Sequence, residues 1–327
     1  MINGAPDPCH NQPDIFPSPS RVSGVLVLDK PENMTSFSVV SRVRKSLGVK
    51  KVGHCGTLDP FATGVLVICL NGATRISDQL SLQDKLYRFS AHFGLETDTL
   101  DRTGQVIHTY SGPFISEQEL LETISGYVGP YHQNVPRYAA VKVQGKRLYD
   151  LTRKGIEVEL PSREVFVHQL KLLGYTWPVA VMEVHCSKGT YVRQLAADIG
   201  RELGCGAHVT ALRRLASGSF GIGEAISLEE LQRVSKISAA WQAKVVSLSE
   251  ALAHLPALMI EDQQILSGLA NGHLDPAWQS GNRRHLSGNK TPVRLLASSG
   301  HLLALWWPEC NDDSDPKGRL RVFRSFA

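Results

Sequence analysis

Gly53-His54-Cys55-Gly56-Thr57-Leu58-Asp59-Pro60-Phe61-Ala62-Thr63-Gly64 is the stretch on which the reading of this chain turns. It sets a carboxylate, an imidazole and three glycines between a basic run, Arg42 to Lys51, and the strand-like run Val65-Leu66-Val67-Ile68-Cys69-Leu70. Glycine-dense loops carried on regular elements are where binding and catalytic groups concentrate. Taken singly, Asp59 before a proline also reads as a turn former, and His54 as a structural hydrogen-bonding residue.

Working outward, Val25-Leu26-Val27-Leu28 is a short apolar run bounded by Gly24 and Pro31, the pattern of a buried strand. Thr35 or Ser36 caps a predicted helix with the apolar stripe Phe37, Val40, Val43 and Leu47, a basic face of Arg42, Arg44 and Lys45, and Gly48 as its stop. Leu86 to Phe93 alternates as a half-buried strand with Tyr87, Phe89 and Ala91 on one side, and the acidic loop Glu96 to Asp101 follows. Ser116-x-x-Glu119 is a capping box for a helix closing at Gly126. Val165 to Leu173, Val179 to Cys186 and Ala207 to Leu215 read as further strands, with helices over 190–203 and after Ser227. Adjacent strands without a βαβ rhythm predict an α+β domain, with a largely antiparallel mixed sheet flanked by helices.

Bulk properties bound the rest. The 327 residues carry a net charge of +4, but its distribution is uneven. Residues 131–163 hold seven basic side chains against three acidic ones, whereas from Leu248 onward eight basic residues meet eight acidic ones. Six scattered cysteines without a C-x-x-C pair read as free thiols in a reducing compartment. With no apolar run near membrane-spanning length and no signal-peptide pattern, a cytoplasmic protein is expected. Residues 1–20, rich in Pro, Ser and Asn, read as a disordered tail, residues 21–247 as the main domain, and residues 248–327 as a small β-barrel-like domain. No P-loop, dinucleotide fingerprint or HExxH is present, so neither a nucleotide cofactor nor a metal is expected. Cys186 next to His185 is no thiol catalytic pair, because neighbours on a strand point to opposite faces.

Several motifs stand in register: Gly24-Val-Leu-Val-Leu-Asp-Lys-Pro31, Gly53-His-Cys-Gly-Thr-Leu-Asp-Pro60, Lys85-Leu-Tyr-Arg88, Cys186-Ser-Lys-Gly-Thr-Tyr-Val-Arg193, Gly204-Cys-Gly-Ala-His208 and Leu212-Arg-Arg-Leu215. Over about 22–235 this series resembles the TruB family of tRNA pseudouridine synthases. The resemblance implies a pseudouridine synthase fold, with residues 248–327 as a PUA-like RNA-binding domain. It also implies isomerisation of the T-loop uridine at tRNA position 55, by a monomer needing no cofactor and no obligatory protein partner. On it, Asp59 matches the catalytic aspartate, Tyr87 the tyrosine stacking on the base, and Arg193 the arginine paired with the aspartate. Tyr191 and Leu212 match residues lining the uridine pocket, His54 the histidine entering the space vacated in the T loop, and Lys30 and Pro31 a supporting pair. Segment 131–163 matches an inserted thumb, in which Lys142, Lys146 and Arg147, with Arg42 and Lys45 of the first helix, are RNA-backbone candidates. The loop glycines then read as room for RNA. Cys55, at a position more often Thr, Ser or Ala in the family, reads as a thiol open to alkylation.

The chemistry fits those residue types. Moving uracil from N1 to C5 of the same sugar adds no atoms and oxidises nothing, so a carboxylate can serve as the reacting group, kept charged by an arginine. Extracting a base from the stack costs a few kcal/mol, and an aromatic partner returns about 1–3 kcal/mol. Two other readings remain: a non-catalytic RNA-binding or remodelling protein, and a guide-RNA-dependent synthase resembling the dyskerin relatives. The Cys-Ser-Lys-Gly-Thr-Tyr motif and the long thumb argue for the stand-alone type.

Overall fold

The computed structural model describes residues 22–139, 141–143, 145–156, 158–237, 239–283, 291–308 and 319–323. The tail 1–20 lies outside them. The main sheet opens with β1 (Gly24–Lys30), β2 (Val52–Cys55), β3 (Thr63–Leu70) and β4 (Lys85–Phe93). A side hairpin, β5 (Leu95–Thr97) and β6 (Val106–Thr109), stands apart from it. Then follow β7 (Gly129–Asn134), the short pair β8 (Lys142–Val143) and β9 (Lys146–Arg147), β10 (Ser162–Thr176), β11 (Val179–Cys186), β12 (Ala207–Ser217), β13 (Phe220–Gly221) and β14 (Ile226–Ser227). The order is β14-β1-β3-β12-β4-β11-β10-β7, with β2 also on β3 and β13 on β12. Only β1/β14 and β3/β12 pair in parallel, so the sheet is mixed and largely antiparallel.

Burial explains the two strand patterns. β3 is a continuous apolar run because both of its faces are covered. Leu66, Ile68 and Leu70 pack with α1 (Ser36–Leu47) on one side, and Val65, Val67 and Cys69 with C-terminal residues on the other. β4 alternates because one face alone is buried. Tyr87, Phe89, Ala91 and Phe93 enter the core that also holds residues of α3 (Glu117–Ser125) and α5 (Val192–Glu202), while Arg88 is exposed. The short α2 (Ser77–Ser81) and α4 (Leu148–Arg153) lie before β4 and within the thumb.

Two sequence expectations shift. In α1, capped by Thr35 and ended by Gly48 at φ 64°, the inward residues are Ser36, Val39, Val40, Val43 and Leu47, and Phe37 is 75% exposed. The cause is Ser36, whose Oγ accepts from Leu58 N at 2.9 Å and donates to Leu58 O at 3.1 Å, fixing the helix rotation. The basic excursion is shorter than 131–163. Residues 131–134 pair in β7 with the start of β10, Ser162 opposite Asn134, so the thumb proper is 135–161. Its centre is a small cluster of Val135, Ala139 and Leu148, with Val141, Val158, Leu160 and Tyr191 against it.

After α6 (Leu228–Ile237), Val246 pairs with Val25 through two backbone hydrogen bonds of 2.8 Å. Ala251, Leu252 and Leu255, in and after α7 (Leu248–Ala251), join the core of β1 and β3, together with Leu296, Leu302, Leu305 and Phe323. The last segment forms a four-stranded sheet, β15 (Ala257–Ile260), β16 (Val293–Ala297), β17 (Leu302–Trp307) and β18 (Arg319–Val322), with α8 (Gln263–Ala270) and α9 (Pro276–Arg283). No helix among the described residues is long and apolar enough to cross a membrane.

Candidate active site

The sheet itself creates the site. β3 is claimed along one edge by two strands: β2 pairs with Val67 to Leu70, and β12 with Thr63 and Gly64. Residues 56–62 are therefore released as a loop. Gly64 has φ 101°, and a Cβ there would stand 2.2 Å from the Arg214 carbonyl oxygen. At Gly56, φ 84°, a Cβ would meet Arg214 Nη1 at 3.2 Å. These two glycines make room for Arg214 of β12.

The loop is held from below. Lys30 Nζ donates to Pro31 O at 2.8 Å, Met34 O at 2.7 Å and Pro60 O at 3.2 Å. Arg214, 1% exposed, donates from Nη2 to Gly56 O at 3.0 Å and from Nε to Val65 O at 2.7 Å. Ala62 N closes a turn on Asp59 O at 3.1 Å, so Asp59 is a turn residue as well as a site residue. Burial pushes the Lys30 amine down to about 8, against the upward pull of Asp59.

Above the loop is a cavity of about 360 Å³ lined by Asp59, Lys85, Tyr87, Tyr138, Tyr191, Arg193, Leu212 and Arg214 among others. That size suits one nucleoside, not a length of duplex. Asp59, its side chain 33% exposed, is the one acid among the described lining residues. Arg193, 3% exposed, clamps it: Nε donates to Oδ2 at 2.9 Å and Nη2 to Oδ1 at 3.2 Å. Nη1 donates to Thr99 O at 2.7 Å and lies 3.4 Å from Asp101 Oδ2, and Nη2 also donates to Tyr138 O at 3.2 Å. The planar guanidinium is thus filled by acceptors on all sides and cannot swing away from Asp59.

Asp101 was not singled out by the sequence. It is buried, and its Oδ1 accepts from Thr99 Oγ1 at 2.8 Å, Thr103 N at 2.9 Å and Thr103 Oγ1 at 2.5 Å. Its loop includes Leu100 at φ 61°, a left-handed conformation costly for leucine. Lys85 and Arg214 were also missed as site residues. Each sits two positions from a predicted one, Lys85 from Tyr87 on β4 and Arg214 from Leu212 on β12, and the period-2 rule puts both members of a pair on one face.

Tyr87 is buried, and burial pushes its phenol above the usual tyrosine range against the opposing pull of Arg214, so it is neutral at pH 7. Burial and then Arg214 bring the Lys85 amine down to about 8. Tyr191, the residue before α5, is held by Gln133, which donates to its carbonyl at 3.0 Å and accepts from its N–H at 2.7 Å. The Arg163 guanidinium lies 5.3 Å from the Tyr191 ring centre.

The remaining predictions fall elsewhere. His54 is in β2, off the cavity wall, with Nδ1 buried and without a hydrogen-bond partner among the described residues. Burial, then Arg214, pushes its imidazole down, which keeps it neutral. Arg42 and Lys45 are exposed on α1 and do not line the cavity. The backbones of Lys142, Lys146 and Arg147 form β8 and β9, while their side chains lie outside what is described. Cys55 is fully buried with its Sγ 3.3 Å from that of Cys69, which corrects the expectation of a reagent-accessible thiol.

The family model for the TruB family pseudouridylate synthase N-terminal domain matches residues 44–192, and that for the tRNA pseudouridylate synthase B C-terminal domain matches residues 193–255. A protein named tRNA pseudouridine synthase B from Syntrophobacter fumaroxidans is 57% identical over 302 residues, 92% of this chain and 98% of the relative. The chain belongs to the TruB family of pseudouridine synthases. A namesake in Syntrophotalea carbinolica is 44% identical over 239 residues, covering 73% of this chain and 78% of the other. Among solved structures, an H/ACA ribonucleoprotein bound to a substrate RNA containing 2'-deoxyuridine aligns with TM-score 0.65 and 21% identity over 97% of this chain and 90% of that one. A Cbf5-Nop10-Gar1 complex aligns with TM-score 0.66 and 24% identity over 97% and 89%. At such identity the likeness establishes the pseudouridine synthase fold. As a member of the TruB family, the enzyme is an isomerase.

Proposed function

We propose that this TruB-family enzyme converts the uridine at position 55 of the tRNA T loop to pseudouridine, with Asp59 as the catalytic carboxylate. The observation that carries the reading is the pairing of Asp59, the one acid among the described lining residues, with a buried, acceptor-saturated arginine. Arg193 holds Asp59 in place and aimed while RNA displaces water from the cavity. Tyr87 offers a ring face and a neutral hydroxyl to the extracted base, and Leu212 and Tyr191 close its sides. Asp59 acts on the ribosyl-uracil unit so that the N1–C1′ bond breaks. The uracil turns, C5 joins C1′, the C5 proton departs and N1 gains one.

The substrate is the tRNA T arm, bound by a monomer without guide RNA. The relatives' name, tRNA pseudouridine synthase B, supports tRNA as the substrate of a stand-alone enzyme. His54, just outside the cavity, acts as the wedge in the vacated loop position. The thumb and the Arg42–Lys45 face meet phosphates, and residues 248–327 act as a PUA-like RNA-binding unit whose boundary lies near Ser247. The four cysteines among the described residues are buried and free, which suits a cytoplasmic setting. The test is to incubate the purified chain with an unmodified tRNA transcript and map pseudouridine. Product at position 55 with wild type and none with Asp59→Asn is expected. Modification only after a guide RNA is added would favour the dyskerin-like reading.

A further inference from the structure

Outside the cavity, one group of side chains among the described residues has the make-up of a metal site. Asp84, just before β4, His168 of β10 and His185 of β11 each bring a ligand atom to within 4.8 Å of the other two. His168 Nε2 lies 3.1 Å from Asp84 Oδ2, and the two imidazole rings are 4.7 Å apart between centres. Positions 84, 168 and 185 are too far apart in sequence for any local motif to announce them.

Their convergence is built into the sheet. Val167 pairs with Cys186 and Gln169 with His185, so His168 is the extra residue of a β-bulge. Bulges re-aim side chains, and this one brings His168 beside His185. Across β11, Cys186 pairs with Lys85, which brings Asp84 to the same end of the sheet. Cys186 and Lys85 point into the core and the cavity, and His185 points to the opposite face.

The donors choose their ion. Two imidazoles and one carboxylate carry a single negative charge when both rings are neutral, which complements a dication. Magnesium and calcium favour oxygen shells, whereas imidazole-rich sets suit zinc, copper and nickel. Metal–ligand bonds of about 2.0–2.2 Å place tetrahedral ligand atoms roughly 3.3 Å apart. The Asp84–His168 separation already meets that spacing. The Asp84 and His168 side chains are 45% and 35% exposed, so rotation can draw the third ligand in.

We propose that Asp84, His168 and His185 form a binding site for a divalent transition-metal ion, Zn²⁺ foremost, which ties the entry of β4 to the β10–β11 pair. The site is structural and separate from the reaction, because none of the three residues lines the cavity. It braces the cavity from behind, since Lys85 follows Asp84 and Ser187 lies two residues after His185, and both are on the cavity wall.

The test is calorimetric titration of the full chain, freed of metal with EDTA, with zinc sulfate alone, alongside thermal melts. Wild type should bind one ion and melt at a higher temperature with zinc than without. His168→Gln and His185→Gln should each weaken binding by about tenfold or more and lose the zinc-dependent rise, while their metal-free melting and tRNA turnover match wild type. Asp84→Asn should show a smaller loss. Zinc binding of wild-type strength in both histidine variants, which would place the ion on other ligands, overturns the proposal. So does a wild-type melt unmoved by saturating zinc.

Discussion

The two walls of the cavity are built on opposite plans. On the sheet wall every charged group is held by a partner: Asp59 by Arg193, Arg193 also by Asp101, Lys85 by the Ser81 carbonyl, and Arg214 by two backbone carbonyls. The thumb wall offers Tyr138, Ala139 and Val141, and rests on a centre of three buried side chains. It meets the sheet wall's charges through a carbonyl, Tyr138 O, which accepts from Arg193. A reacting charge must be fixed before substrate arrives, whereas charge that attracts RNA needs only to be near phosphate.

The contrast can be broken at Arg193 first. Arg193→Met leaves Asp59 and Asp101 facing each other without a cation, and removing one partner of a buried pair costs about 3–5 kcal/mol. We expect single-turnover rates to fall about 10³-fold or more and thermal stability to drop. Arg193→Lys should recover little, because an ammonium cannot reproduce the bidentate fork. A rate within tenfold of wild type would show that Asp59 needs no fixed partner.

Next, replacing Lys142, Lys146 and Arg147 together by alanine should weaken tRNA binding and lower its log–log salt slope by about 2, at roughly 0.7 per phosphate contact. The rate at saturating tRNA should stay. An unchanged slope in filter-binding assays would remove phosphate contact from the thumb. Leu148→Ala, at the thumb centre, should loosen that wall alone: KM for tRNA rises several-fold and kcat holds. A fall in kcat with KM unchanged would mean that the thumb shapes the chemistry.

The smallest effect is on pH dependence. The Lys30 amine titrates near 8 when folded and at 10.5 when unfolded, so between those values the unfolded chain holds more protons. Stability should therefore rise with pH across that window, with Lys85 contributing in the same direction. Lys30→Met should flatten the rise in the urea midpoint, and an unaltered slope would mean that Lys30 is not desolvated in the fold.

Much of the sheet wall was legible because it rests on short-range rules. Alternation placed Tyr87 inward, capping placed α1 and α3, and the motif series supplied Asp59 and Arg193. What escaped reading depends on approach between distant segments. Gly64 looks like space for a ligand until β12 is seen against it. Asp101 looks like a solvated acid until its threonine neighbours and the left-handed Leu100 turn it onto Arg193. Phe37 fits a helical stripe by spacing, yet the Ser36–Leu58 contacts turn it outward. Tyr131 to Asn134 look like the start of a basic excursion, yet they pair with β10.

The seam at Val246 has a consequence for inheritance. A Cβ on Gly24 would lie 2.5 Å from the Val246 carbonyl oxygen, and Leu252, Leu302 and Phe323 fill the same apolar space as Val25 and Val67. Cutting the chain after Ser247 would bare one face of β1 and of β3, the strand into which the Asp59 loop runs. The C-terminal sheet therefore cannot be traded between proteins as a loose module. A lineage that exchanges or loses it must repaint the back of β1 and β3 in polar residues at the same time.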